Sequence, residues 1–118
     1  MSKAHEITIT PAGQHIEVTL GDEKLAASDH AVVLAETGLP PRYYFPRDDV
    51  RMDLLTPTAT HSHCPFKGDA SYWSVTAGGQ VHEDLVWSYP EPISQSEGIR
   101  DLLCFWSEKA PDLKIAVS

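Results

Sequence analysis

The chain has 118 residues, 42% of them hydrophobic and 22% charged, with a formal net charge of −8. That length fits one domain around one core, and the acidic balance excludes a nucleic-acid backbone as main partner, because phosphate binding rests on clustered Lys and Arg. No apolar run approaches the roughly 20 residues of a membrane-spanning helix, and the cysteines, Cys64 and Cys104, make no disulfide framework.

Residues 1–6 are polar and lack the apolar core of a signal peptide. The chain therefore reads as cytoplasmic, with its thiols reduced. Residues 6–10 and 15–20 alternate polar and apolar side chains about the break Pro11-Ala12-Gly13, which predicts two strands joined by a turn. Residues 24–28 and 31–36 predict two more, so the N-terminal third reads as a meander of short strands. Val32-Val33-Leu34 is β-branched and apolar, as in a central, two-sided strand. Glu36 follows it directly, and a carboxylate at the end of a buried strand must be solvated, paired or functional.

Arg42-Tyr43-Tyr44-Phe45 has strong β-propensity, and Pro46 ends it or confines it to an edge. Arg47-Asp48-Asp49-Val50-Arg51-Met52-Asp53 reads as a charged turn with local ion pairs, in which Asp49 is placed to orient a basic neighbour. Residues 58–63 and 70–75 alternate as two further strands. Between them lies Cys64-Pro65-Phe66-Lys67-Gly68. Pro65 extends the backbone at Cys64, and Gly68 accepts positive φ in a turn. A lysine beside a thiol favours the thiolate, so Cys64 and Lys67 could form a reactive or anion-binding corner. The competing reading is a small buried hydrophobe and a solvated turn residue.

Residues 81–89 predict another strand, with Val81, Leu85, Trp87 and Tyr89 on one face and Val86 on the other. Ser94-Gln95-Ser96-Glu97 fits a capping box and predicts one short helical turn. Residues 102–106 read as a strand buried on both faces, and 113–117 as a last strand or a tail. The expected fold is a single all-β domain over 1–118, mainly antiparallel, with two packed sheets or a partly open barrel and at most one or two short helices.

Glu36-Thr37, Tyr43-Tyr44-Phe45-Pro46-Arg47-Asp48-Asp49-Val50, Cys64-Pro65-Phe66-Lys67-Gly68, Ala70-Ser71-Tyr72-Trp73 and Trp87-Ser88-Tyr89-Pro90 occur together in this order. With these motifs the chain resembles the bacterial domain-of-unknown-function family numbered 427, over about residues 21–106. It departs at Trp106-Ser107-Glu108, where the family usually has a tyrosine. The resemblance implies a β-tent, Mss4-like fold and a site among Glu36, Tyr44, Asp49, Cys64, Lys67, Tyr72 and Trp87. The family sometimes carries a nucleotidyltransferase-like label. This sequence has no Gly-Ser followed by a nearby Asp-x-Asp to hold two metal ions.

Four functional classes follow. The leading one is a pocket for a small polar or anionic ligand, where Glu36, Tyr44, Cys64, Lys67 and Trp87 converge and Tyr43, Tyr44, Tyr72, Trp73 and Trp87 supply walls. A second is an enzyme using Cys64 as nucleophile or Glu36 as general base, with Lys67 alongside and His61, His63 or His82 as the base for the thiol. A third is a metal site from His61, His63 and His82 or Cys104, for which the usual Cys-x-x-Cys spacing is absent. A fourth is self-association or protein interaction through open edge strands. The sequence implies no cofactor.

Overall fold

Period-two alternation dominates the chain, and it becomes ten strands with four 3-10 turns and no α-helix in the computed structural model, which describes residues 6–118. The polar start on which the leaderless reading rests lies, for residues 1–5, outside the described residues. The strands are β1 (Ile7–Pro11), β2 (Ile16–Leu20), β3 (Glu23–Ser28), β4 (Val32–Glu36), β5 (Arg42–Phe45), β6 (Leu55–Cys64), β7 (Gly68–Ala77), β8 (Gln80–Ser88), β9 (Leu103–Phe105) and β10 (Leu113–Val117). A seven-stranded sheet runs β1-β4-β5-β9-β8-β7-β6, and a three-stranded sheet runs β10-β2-β3. Every strand pairing in both sheets is antiparallel, and neither sheet closes into a barrel. No helix among the described residues is long and apolar enough to cross a membrane.

The N-terminal third is not a meander. β1 pairs with β4, whereas β2 pairs with β3 and β10, so the first two strands enter different sheets. Alternation marks which side chains face a core but says nothing about which strand lies alongside. The pairing with β10 makes residues 113–117 a strand rather than a tail.

The two sheets meet face to face. Ile16, Val18, Leu20 and Leu25 of the small sheet pack with Phe45, Val75, Val86, Leu103 and Phe105 of the large one. Phe45 and Phe105 touch edge to face with ring centroids 5.7 Å apart. Full burial of each such side chain contributes about 1.5–3 kcal/mol, so this layer supplies most of the apolar stabilisation.

The opposite face of the large sheet carries a second cluster. Tyr44, Cys104, Trp87 and Tyr72 stand in one row across β5, β9, β8 and β7. Leu34, Ala70, Tyr89 and Ile99 complete it. The 3-10 segment Ser94–Ile99 lies against β1, and a Cβ on Gly98 would come within 3.0 Å of the Ile9 side chain. The expected capping box does not form there. Ile93 takes the N-cap position, Glu97 accepts from Arg100 instead, and Ser96 turns its hydroxyl to the Phe66 carbonyl.

β8 also departs from simple alternation. Asp84 has φ of 52°, and the β7–β8 register shifts between Trp73 and Val75. Thr58 and Thr60, in the irregular part of β6, both donate to the Asp84 carboxylate, at 2.6 and 2.7 Å. The shift places Leu85 with Val86 in the inter-sheet core rather than beside Trp87 and Tyr89. A bulge of this kind reverses the facing of residues on one side of it.

Just before β2, the half-exposed His15 sits between Glu17 (2.9 Å) and Asp29 (2.8 Å). Hydrogen bonds to Glu17 first and Asp29 second raise its pKa above the usual 6.5. A raised folded-state value means a contribution that is complete below the unfolded-state pKa and lost as pH rises through the folded one. His15→Gln should therefore lower the melting temperature more at pH 5.5 than at pH 8.5, with a small difference throughout because the group is exposed. Thermal unfolding of both proteins across that range measures it.

Candidate functional site

The loop between β6 and β7 is fixed by backbone contacts before any side chain is considered. The Lys67 amide donates to the Cys64 carbonyl at 3.1 Å, which closes a tight turn. Gly68 follows with φ of +117°, and a Cβ there would meet the Glu91 carbonyl at 3.2 Å and Pro92 Cα at 3.3 Å. The segment after β8 then clamps the turn from outside. The Ile93 amide donates to the Lys67 carbonyl at 3.0 Å, and Ser96 Oγ (2.9 Å) and Gln95 Nε2 (3.1 Å) donate to the Phe66 carbonyl.

This clamp aims Lys67 across the second face of the large sheet. Its ammonium donates to Glu36 Oε1 at 2.5 Å, with the lysine side chain 12% exposed and the glutamate 6%. Glu36 ends β4, second in the sheet order, while the lysine turn joins the last two strands. The ion pair thus bridges nearly the whole width of the sheet.

Beside it opens a cavity of about 260 Å³. Leu34, Leu39, Pro40 and the rings of Tyr44, Tyr72, Trp87 and Trp106 form its apolar walls, and Glu36, Arg42, Lys67 and Tyr89 bring polar groups to it. Trp87 and Trp106 meet edge to face at 5.9 Å, and Trp87 Nε1 donates to the Tyr44 hydroxyl at 3.1 Å. Arg42 lies over the Trp87 ring, 5.4 Å from its centroid, and its Nη1 donates to Glu108 Oε1 at 2.7 Å. The Tyr72 and Ser62 hydroxyls share a 2.8 Å hydrogen bond. Tyr89 is 6% exposed, and its hydroxyl makes no hydrogen bond among the described residues. Burial pushes the Tyr44, Tyr89 and Cys104 groups well above their ordinary pKa values, so all three stay protonated at neutral pH.

The structure brings Glu36, Tyr44, Lys67, Tyr72 and Trp87 to one cavity. It does not bring Cys64 there. Cys64 is half-buried in the apolar cluster with Ala70 and Tyr89, and Lys67 is turned to Glu36 instead of the thiol. Asp49 lies elsewhere, accepting from Ser28 Oγ at 2.6 Å, and Asp53 is held by Arg51 at 2.9 Å. Tyr43 and Trp73 are not walls either. Each is offset by one residue from a wall tyrosine, Tyr44 or Tyr72, and packs toward the inter-sheet core. His63 pairs with Asp69 at 2.7 Å on the exposed edge strand β6. Among the described residues no three His, Cys, Asp or Glu side chains gather closely enough to hold a metal ion.

Arg42 and Trp106 were not legible as site residues from chemistry alone. Their signal was period two, since Arg42 precedes Tyr44 by two positions and Trp106 follows Cys104 by two. Leu39 and Pro40 reach the cavity from the loop after β4, which no pattern marked.

Fold and site together define an all-β protein of two antiparallel sheets, with an aromatic-walled cavity on the face turned away from the inter-sheet core. The family model described as a domain of unknown function (DUF427), which carries a nucleotidyltransferase-like label, matches residues 8–115. The chain belongs to this family. No curated protein matches it.

Removing one partner of a buried ion pair leaves an uncompensated charge, whereas removing both does not. Lys67→Met should destabilise the protein by on the order of 3 kcal/mol, and adding Glu36→Leu should recover most of that loss. Gly68→Ala should cost at least about 1–2 kcal/mol through its positive φ and its approach to Glu91. Chemical denaturation of the variants checks all three outcomes.

Proposed function

We propose that the protein binds a small polar or anionic molecule in the cavity walled by Tyr44, Tyr72, Trp87 and Trp106. The observation that carries this reading is the Lys67–Glu36 pair, buried in the cavity wall. A buried ion pair is seldom more stable than an apolar contact of equal volume, because desolvation offsets the attraction. A purely structural tie across the sheet would be served as well by two aliphatic side chains. Charged groups kept in a mostly apolar cavity are what orient a bound molecule. Lys67 has three N–H donors, and its one hydrogen bond among the described residues goes to Glu36. The Tyr89 hydroxyl adds a second donor, with no acceptor among the described residues.

Catalysis by Cys64 has less support, because the thiol does not line the cavity and packs in the apolar cluster, while the neighbouring His63 is paired with Asp69. Nucleotidyl transfer has less again. Asp49 and Asp53 are engaged with Ser28 and Arg51, away from the cavity.

A panel of small molecules (anionic, cationic and neutral) should contain members that perturb Trp87 and Trp106 indole signals in a two-dimensional NMR titration. Binding should disappear in the Glu36→Leu/Lys67→Met protein, which keeps its fold. If no member of the panel binds at millimolar concentration, or if the double variant binds as well as the parent, the cavity is not a binding site.

A further inference from the structure

Among the described residues the cavity holds two cations in different situations. Lys67 is buried and bonded to the buried Glu36. Arg42 is 27% exposed and bonded to Glu108, which is 54% exposed. The second pair is a single N–H···O contact, through Nη1 alone. A guanidinium offers five N–H donors in a fork that matches a carboxylate with two parallel bonds, so Arg42 uses a fraction of its capacity. It is nevertheless held in place, because its guanidinium rests on the Trp87 ring, whose indole is itself tied to Tyr44. Glu108 is not held in this way. It sits in the three-residue turn Ser107–Lys109 and, apart from Arg42, its carboxylate accepts a 3.4 Å contact from Ser107.

The walls state what lies next to that guanidinium. Tyr44, Tyr72, Trp87 and Trp106 favour a flat apolar body, and about 260 Å³ limits it to a small molecule. Charge limits the ligand further. Lys67 is already matched by Glu36, so among the described residues a doubly charged phosphate would face Glu36 and Glu108 with Arg42 alone to answer it.

We infer that the cavity takes a small planar monocarboxylate whose carboxylate is received by Arg42, and that Glu108 is a built-in competitor for that guanidinium. This rests on the binding reading above and adds the ligand class and a device that weakens its capture. In the unliganded protein the Glu108 carboxylate occupies one donor of the fork. An arriving carboxylate takes two donors and releases an exposed, weakly held side chain.

Benzoate, its neutral isostere benzamide and inorganic phosphate are the probes, measured by calorimetry on the wild-type, Arg42→Gln and Glu108→Gln proteins. Benzoate should bind at least roughly tenfold tighter than benzamide, reflecting a charge-assisted bidentate contact. Arg42→Gln should erase that preference, with the loss falling far more heavily on benzoate than on benzamide. Glu108→Gln should tighten benzoate roughly two- to fivefold, the range expected on removing an exposed competing pair. Arg42→Lys keeps the charge without the fork and serves if the glutamine variant melts early; it should lose most of the benzoate preference. Equal affinity for benzoate and benzamide, or phosphate competing as well as benzoate, overturns the carboxylate assignment while the cavity stands as a binding site. Unchanged benzoate affinity in Glu108→Gln overturns the competitor role. If neither aromatic probe binds, this inference fails, and the wider panel decides the binding reading on its own.

Discussion

The ion pair between Lys67 and Glu36 is the contact on which the second face of the large sheet depends. It joins the turn after β6 to the end of β4, across strands that are far apart in the sheet order. It places the Lys67 ammonium in the cavity wall, on a turn that its own backbone contacts already fix. The pair costs desolvation, so its placement is supported by uncharged contacts around it. Gly68 lets the turn pass under Glu91 and Pro92, and two side chains of the 3-10 segment hold the Phe66 carbonyl.

The two faces of the large sheet have separate work. One face is mainly apolar and meets the small sheet, where Phe45, Leu103 and Phe105 supply rigid packing. The other combines aromatic rings with charged ends. β9 is only three residues long, yet it serves both. Leu103 and Phe105 enter the inter-sheet core while Cys104, between them, joins the aromatic row. A rigid packed layer behind a site holds the side chains on its far face in place, which is the usual relation of scaffold to site.

Much of this was legible in the residues. Strand after strand alternates with period two, and in the fold that alternation sets Tyr44, Cys104, Trp87 and Tyr72 in one row on one face. The Cys64-to-Gly68 turn and the acid at the end of an apolar strand stood out for physical reasons, a positive-φ glycine and a carboxylate that needs a partner. Errors arose where facing was inferred across an irregularity or from residue type alone. Alternation carried through the Asp84 bulge puts Leu85 beside Trp87, whereas the bulge turns it into the inter-sheet core. Aromatic character alone suggests Tyr43 and Trp73 for the wall, yet each lies one position from a wall residue and so on the opposite face.

The sequence by itself determined the all-β character, the strand positions and the chemical kinds of side chain available to a site. These depend on local periodicity and on turn residues, which act over a few positions. Tertiary structure alone decided that β1 and β2 part into different sheets, that Lys67 reaches Glu36 rather than Cys64, and that Arg42 and Glu108 meet at the cavity. Those outcomes depend on strand order and bulges, which bring together residues 31 and 66 positions apart in the chain. No pattern within a single strand carries that information, because pairing is settled by the burial of both sheets at once.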